Sequence, residues 1–328
     1  MKTYRPFLLL SASLLVILAL SVLLGRYPTP TLMSWDLLRS DPMARRVVLY
    51  LRLPRILTAC LLGMALSAAG MVMQMIFRNP LVEPGFLGVS HGAAFGAAFS
   101  IIFLGASGIW MQVLAAFFAC LGLGLSYFVA KRIRYGGWTL RLVLAGIAVS
   151  ALFSSTNGLL KYIADPLSQL PEITFWLLGG LSGTTWEKAL LILPVVLSAL
   201  ALMLLMRWRL NLLALDDETV FSLGTAPARE RTVLLIAAVI ATASVVSVAG
   251  VVGWIGLIVP HMARRLLGSD AKRALPGAVL IGGIFAVLCD DIGRTAFAGE
   301  IPLGILTSLL GALLFLSMMV SRDQELKR

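Results

Sequence analysis

Charged residues are scarce in this chain. Of its 328 residues, only 13% are Asp, Glu, Lys or Arg, whereas an ordinary soluble domain carries about 25%. So few charges leave too little polar surface to cover a water-soluble globule of this size. The scarcity excludes a soluble enzyme, a disordered protein and a protein with a single membrane anchor.

Two chemical signatures are also missing. The sequence has no Gly-x-x-x-x-Gly-Lys-Ser/Thr loop, so the chain cannot bind ATP in the Walker manner. It has no His-Glu-x-x-His pattern either, which disfavours an intramembrane metalloenzyme. The three cysteines, Cys60, Cys120 and Cys289, lie inside apolar runs without metal-ligand spacing. We therefore expect no catalytic residues, no metal and no other cofactor.

Long apolar runs make up most of the chain. Hydrophobic residues account for 59% of the sequence, and the mean hydropathy is +0.94. Since about 20 apolar residues cross a bilayer, the runs predict ten crossings, near residues 7–24, 56–76, 86–106, 110–130, 140–160, 188–206, 233–249, 251–267, 276–293 and 303–320. The predicted fold class is an all-α polytopic membrane protein, with one transmembrane domain over residues 1–328. We expect the first segment to remain as an uncleaved helix.

The basic residues predict the orientation. When the N-terminus is placed in the cytoplasm, about two thirds of the 27 Lys and Arg residues fall on the cytoplasmic side, as the positive-inside rule requires. Ten crossings then place both termini in the cytoplasm. Because topology accounts for most of the net charge of +11, a nucleic-acid partner is not expected.

The positions of the acidic residues indicate which energy source could drive transport. A proton-driven secondary transporter normally places carboxylates in the middle of the membrane. All 16 acidic residues fall in predicted loops or near span ends, and Asp290 and Asp291 are the deepest. A secondary transporter is therefore disfavoured, although it remains an alternative.

Several patterned stretches occur in order along the chain. They are Leu51-Arg-Leu-Pro-Arg55, Arg78-Asn-Pro-Leu81, Gly85-Phe-Leu-Gly-Val-Ser90, Gly253-Trp-Ile-Gly-Leu-Ile-Val-Pro-His261 and Glu300-Ile-Pro-Leu-Gly304. Together they resemble the FecCD family of ABC-importer permeases, whose members import cobalamin, haem, ferric siderophores and, in some cases, molybdate. The resemblance covers about residues 50–320.

This resemblance implies a function and a set of partners. The chain would be the permease of a binding-protein-dependent importer that moves a metal chelate (a ferric siderophore, haem or a corrinoid) across the inner membrane by alternating access. The alternative is the same architecture importing molybdate or tungstate. The implied partners are a second copy of the chain, two ATP-binding cassette subunits and a periplasmic or lipid-anchored binding protein.

Arginines mark the predicted outer face. Six of them, and no lysine, lie between the first two spans, at Arg26, Arg39, Arg45, Arg46, Arg52 and Arg55. They suit either an interfacial loop that contacts lipid headgroups or a dock for an acidic partner. By resemblance, Arg52, Arg55 and Arg294 would receive carboxylates of the binding protein.

Polar residues mark a predicted path through the membrane. In the fifth span, Gly146, Ser150, Ser154 and Asn157 recur at helical spacing and so share one face. That face suits either helix packing or a water-accessible channel, and the resemblance favours the channel. On the cytoplasmic side, Asn79 and Leu81 would form a turn that, by resemblance, also acts as a gate.

The longest cytoplasmic connection, about residues 207–232, contains a predicted short helix. Asp216 is a plausible N-cap, and Gly224 suits the position just after the helix end. This is either a capped surface helix or, by resemblance, the coupling helix that contacts the ATPase. The predicted coupling residues are Leu215, Asp216, Asp217, Glu218, Phe221, Leu223 and Gly224.

Overall fold

The computed structural model describes residues 5–27, 31–105, 108–215, 217–222, 224–297 and 299–326. The α-helices are α1 (Arg5–Leu23), α2 (Trp35–Ser40), α3 (Pro42–Arg46), α4 (Leu53–Ile76), α5 (Val89–Leu104), α6 (Gly108–Arg132), α7 (Trp138–Ile163), α8 (Gln169–Leu178), α9 (Trp186–Leu205), α10 (Arg207–Leu213), α11 (Asp217–Ser222), α12 (Pro227–Ala249), α13 (Ile255–Leu267), α14 (Ala271–Thr295) and α15 (Leu303–Leu326). Two short strands, β1 (Leu24–Gly25) and β2 (Thr31–Leu32), pair antiparallel after α1.

Eight helices in the described part of the chain are long and apolar enough to cross a membrane. They cover residues 5–23, 42–76, 108–132, 138–163, 186–205, 227–249, 271–295 and 303–320. The predicted all-α polytopic fold is confirmed.

Two of the ten predicted spans are shorter helices than expected. α5 has 16 residues and α13 has 13, which correspond to about 24 and 20 Å against a hydrocarbon core of about 30 Å. The predicted spans 86–106 and 251–267 both include irregular backbone, where Gly88 and Trp254 have φ values of 79° and 70°. Regular helix therefore begins only after these two residues.

The second span is longer than expected. A π-helical turn, Val47–Arg52, joins α3 to α4, so helix continues from Pro42 to Ile76. Its start is fixed by Asp41, whose side chain accepts a hydrogen bond of 2.8 Å from the Met43 amide. Most of the arginines predicted on the outer face consequently lie on helix and not in a loop, while contact with lipid headgroups stays a prediction.

The helix α4 lies at the centre of the bundle. Of the 18 most apolar consecutive residues in the span 42–76, 89% are buried. Helix α4 packs against α12, α13 and α14. Small side chains such as Ala59, Ala65 and Ala69 are fully buried and let neighbouring backbones approach closely. By contrast, only 17% of the 18 most apolar consecutive residues of α1 are buried. The exposed leucines of α1 form a face suited to lipid.

Candidate functional site

A cavity of about 610 Å³ opens where the two shortened spans begin. One wall is the 3-10 turn Pro84–Leu87 with the start of α5, and the opposite wall is the irregular segment between α12 and α13. Helix α7 closes a third side. Irregular backbone at membrane depth is tolerated where it lines a cavity. The cavity therefore accounts for the irregular segments that shorten α5 and α13. The polar and charged lining residues are Glu83, Ser90, His91, Ser150, Ser154, Asn157, Lys161 and Thr242.

Three of the four path residues predicted on α7 line this cavity. They are Ser150, Ser154 and Asn157. The fourth, Gly146, instead packs against the 3-10 turn, since a Cβ there would lie 2.6 Å from the Phe86 carbonyl oxygen. Spacing along one continuous helix thus brought the polar side chains together, while their role in transport stays a prediction.

The α7 wall carries polar atoms without protein partners. Asn157 is buried, and its Nδ2 donates a hydrogen bond of 3.2 Å to the His91 carbonyl. Among the described residues, Asn157 Oδ1 and Ser150 Oγ make no hydrogen bond. Buried polar atoms in native proteins are generally paired with protein, water or ligand, so this wall is suited to a hydrated or polar occupant.

Sequence reasoning missed the charged residue on the opposite wall. The Glu83 side chain accepts a hydrogen bond at Oε2 from the Trp254 amide, at 3.2 Å. His91 and Lys161 also line the cavity and were not predicted. The signal for Glu83 was an acidic residue between Pro80 and Pro84, immediately before a short apolar segment.

Ser90 belongs to the stretch Gly88–Gly92, whose letters satisfy Gly-x-Ser-x-Gly. A nucleophile elbow requires a strand before the serine and a helix after it. Here the serine follows the 3-10 turn and lies in the first turn of α5. The letters are therefore no sign of a hydrolase.

The predicted gate residues lie on the loop between α4 and α5. Asn79 Oδ1 accepts a hydrogen bond of 2.9 Å from the Leu81 amide, so the asparagine forms the predicted turn. Both side chains are exposed, and neither lines the cavity as described. A gating role for them stays a prediction.

The predicted short helix is present as α11. Gly224 has a φ of 77°, as its predicted position after the helix end requires, and its amide donates to the Phe221 carbonyl at 3.0 Å. Val220 is fully buried, whereas Phe221 is 74% exposed. Glu218 is exposed as well. Asp216 and Leu223 lie outside the described residues.

The predicted coupling segment is connected to the loop before α5. The Leu215 carbonyl at its start accepts a hydrogen bond from Arg78 Nη2. Further along the segment, the Thr225 hydroxyl donates to the Val220 carbonyl at 2.7 Å. The segment is thus anchored at one side and presents Phe221 outward.

The three predicted docking arginines converge at the opposite end. Arg52, Arg55 and Arg294 line one groove of about 210 Å³ on the predicted outer face, called here the outer groove. Arg52 is 5% exposed, and its Nη1 donates to the carbonyls of Val22 and Leu23 at 2.9 and 3.0 Å. The guanidinium of Arg52 therefore holds the end of α1.

The other two arginines form ion pairs within the chain. Arg294 pairs with Asp291 and donates to the Leu24 carbonyl at 2.8 Å. Arg55 lies 2.9 Å from the buried carboxylate of Asp290 and 2.8 Å from the half-exposed carboxylate of Glu300. The three arginines converge as predicted, but each guanidinium makes its hydrogen bonds or ion pairs within its own chain.

The rim of this groove carries one further acidic contact. The Tyr27 hydroxyl donates to Asp41 Oδ2 at 2.7 Å. This hydrogen bond lowers the pKa of the Asp41 carboxyl and raises the pKa of the Tyr27 hydroxyl. Asp41 therefore stays ionised and caps α3.

An apolar helical bundle around a polar cavity is the architecture of a multi-span membrane transport protein. The FecCD transport family model matches residues 13–321. The chain belongs to this family. It is a non-catalytic permease subunit of the ABC-importer class, a multi-pass protein of the inner membrane that works with an ATPase and a binding protein.

Individual relatives agree with this assignment. The chain is 37% identical to the molybdate import system permease protein MolB of Haemophilus influenzae, over 94% of each chain. It is also 37% identical to the hemin transport system permease protein HmuU of Yersinia pestis, over 95% of this chain and 94% of the relative. A solved inward-facing structure described as a metal-chelate type ABC transporter superposes with a TM-score of 0.89 at 36% identity, covering 97% of this chain and 99% of that one.

Proposed function

We propose that the chain forms the membrane path of an importer for a metal chelate: a ferric siderophore, haem or a corrinoid. The observation that carries this proposal is the cavity of about 610 Å³, which falls in the usual range for drug-sized ligands, about 300–1,000 Å³. An oxyanion with four water-sized oxygens would occupy only about 40–60 Å³ of such a volume. Sequence identity does not separate the two, since the molybdate and hemin permeases are equally similar.

The chemistry of the wall points the same way. Oxyanion sites are built from backbone amides and cationic side chains. This cavity presents hydroxyls, one amide, the imidazole of His91 and the carboxyl group of Glu83, with Lys161 as a single lysine among the described lining residues. Molybdate or tungstate remains the alternative substrate.

We infer that two copies form the path, with α7 of each at the two-fold axis. Besides its cavity-lining residues, α7 exposes large apolar side chains, including Leu152 at 59% and Leu159 at 60%, which suit a helix contact. Two ATPase subunits would lie on the cytoplasmic side and one binding protein outside. Both termini would be cytoplasmic.

We propose that residues 215–224 are the segment that contacts the ATPase. The support is the combination of a buried anchor, Val220, with the outward Phe221 next to it. An exposed aromatic on a short, anchored helix suits insertion into a cleft of a partner. Asn79 and Leu81, on the adjoining loop, are proposed to close the cytoplasmic end of the path.

Reconstitution in liposomes with the cognate ATPase and binding protein tests the substrate and the coupling together. We expect ATP-driven uptake of a ferric siderophore, haem or corrinoid, and no uptake of molybdate. A Gly224→Val permease should lose this uptake, because a left-handed residue with a Cβ costs about 1–2 kcal/mol and a β-branched residue adopts this φ poorly.

The matched control is Gly224→Asn, since asparagine tolerates the left-handed conformation. It should transport nearly as well as the wild type. Molybdate uptake by the wild type would overturn the chelate proposal, and normal coupling in Gly224→Val would overturn the coupling assignment.

We propose that the outer groove receives an acidic side chain of the binding protein at Arg55. Arg55 holds Glu300 at the exposed edge of the groove, so an incoming carboxylate would replace Glu300 in this pair. Arg52 and Arg294 would act from beneath, by supplying positive charge and fixing the groove floor.

Neutralising Glu300 tests this docking proposal. A Glu300→Gln permease should bind its binding protein about 1.4- to fivefold more tightly, because an exposed ion pair contributes about 0.2–1 kcal/mol. Raising the salt concentration should weaken wild-type docking by screening. Glu172→Gln, an exposed change on α8, is the control. Affinity that responds neither to Glu300→Gln nor to salt would contradict docking at Arg55.

A further inference from the structure

The start of α13 is held by a residue from a distant loop. Trp254, the residue before α13, has a φ of 70° and is one of two non-glycine residues with a positive φ in the described chain. A non-glycine residue persists in this conformation only where its surroundings hold it there. Its amide donates to Glu83 Oε2 at 3.2 Å, across 171 residues of sequence. The carboxylate also lies at the positive end of the helix dipole.

Close packing also holds the loop that carries Glu83 against the start of α13. A Cβ on Gly256 would lie 2.6 Å from Pro84, the residue after Glu83. Pro260 prevents the Gly256 carbonyl from pairing within the helix, and Gln74 Nε2 of α4 donates to that carbonyl at 3.2 Å. The first turn of α13 is therefore fixed by α4 and by the loop, with little freedom to move independently of either.

The other end of this loop contacts the coupling segment. Arg78 Nη2 donates to the Leu215 carbonyl. Between the two contacts, the Asn79 side chain braces the loop by accepting a hydrogen bond from the Leu81 amide at 2.9 Å. Just after them, the Glu83 carbonyl accepts from the Phe86 amide at 3.1 Å. A short braced loop is suited to move as a unit, which would carry a displacement at Leu215 to the cavity wall.

We propose that Glu83 is a positioning residue that makes the start of α13 follow the coupling segment, so that movement at the ATPase face changes the cavity wall. This inference rests on the proposed function of residues 215–224. Glu83 acts through its acceptor oxygen on the Trp254 amide. Energetic coupling between distant sites travels through such contiguous hydrogen-bonded and packed elements.

Hydrogen exchange measured on the full complex in nanodiscs tests the proposal. The readout is exchange of the amides of residues 254–258, with and without ATP. In the wild type, ATP should change the exchange of these amides. In Glu83→Ala this ATP-dependent change should be lost, and basal exchange should rise about 10- to 100-fold, because a hydrogen bond to a charged group has been removed.

Three further variants separate positioning from other roles of Glu83. Glu83→Gln keeps an acceptor oxygen and should retain the ATP-dependent change. Arg78→Met, which breaks the other contact of the loop, should lose it, and so provides a second route if Glu83→Ala fails to assemble. Glu187→Ala, an exposed glutamate on α9, should match the wild type.

Several results would overturn the proposal. They are an ATP-dependent change that persists in Glu83→Ala, an equal loss in Glu83→Gln, and the absence of any ATP effect at residues 254–258 in the wild type. Because no substrate is needed, the experiment remains decisive if chelate uptake fails. Failure of the coupling assignment would appear as normal coupling in Gly224→Val, whereas failure of this inference would appear as an ATP-dependent change that persists in Glu83→Ala, so the two are distinguishable.

Discussion

An Arg55→Met permease is expected to lose about 3 kcal/mol of folding free energy, the lower end of the usual cost of leaving a buried charge without its partner. Asp290 is 2% exposed and lies 2.9 Å from Arg55 Nε. Arg294 Nε remains 3.7 Å from the same carboxylate, so the charge of Asp290 stays partly compensated. The expected loss of folding free energy is therefore at the lower end of the range. Thermal unfolding of the purified permease should show a midpoint lower by at least about 5 °C.

A second substitution shows whether the pair is the cause. Adding Asp290→Asn should recover part of the loss, with an interaction energy of about 1–3 kcal/mol in the double-mutant cycle. Arg39→Met, at an exposed arginine of α2, should change stability by no more than about 0.5 kcal/mol. If Arg55→Met and Arg39→Met unfold at the same temperature, the ion pair contributes nothing to stability.

A Gly70→Val permease is expected to fail to reach a stable folded state. A Cβ on Gly70 would lie 1.9 Å from the Gly256 carbonyl oxygen, far inside the contact distance of the two atoms. To relieve the clash, α4 and α13 must separate, which breaks the Gln74 hydrogen bonds to Gly256 and Leu257. Overpacking a core alone costs about 1–3 kcal/mol, and the lost hydrogen bonds add to this.

The measurement is the yield of monodisperse protein after membrane extraction and size-exclusion chromatography. Gly124→Val on α6 is the matched control, because a Cβ there would meet no atom within 4 Å. The control should fold at wild-type yield. Recovery of folded Gly70→Val protein at the same yield would show that the α4–α13 contact is looser than described.

The site could be predicted where it depends on a single helix. Ser150, Ser154 and Asn157 were placed on one face by spacing alone, and they line one cavity. The left-handed conformation of Gly224 likewise followed from a local helix-end pattern. Residues brought together by several elements were not predictable in this way, and Glu83 was missed because its partner is Trp254.

The lengths of the spans likewise separate what a local pattern predicts from what several packed elements decide. Hydropathy located every apolar segment, but it could not show that α5 and α13 begin only after irregular backbone. An apolar residue scores alike in a helix and in a cavity-lining turn. The distinction depends on what the freed backbone groups contact, which a window along the sequence does not contain.

The sequence by itself determined an all-α multi-span membrane protein, because apolar runs act locally through transfer from water to lipid, and its motifs carried the resemblance to the FecCD family. The tertiary structure alone decided what the charged residues bind. Arg55 meets Asp290 across 235 residues and Arg294 meets the Leu24 carbonyl across 270, so that arginines expected to await a partner are bonded within the chain. A buried charge must find its counter-charge in space, and only the packing of α1, α4 and α14 brings these partners together.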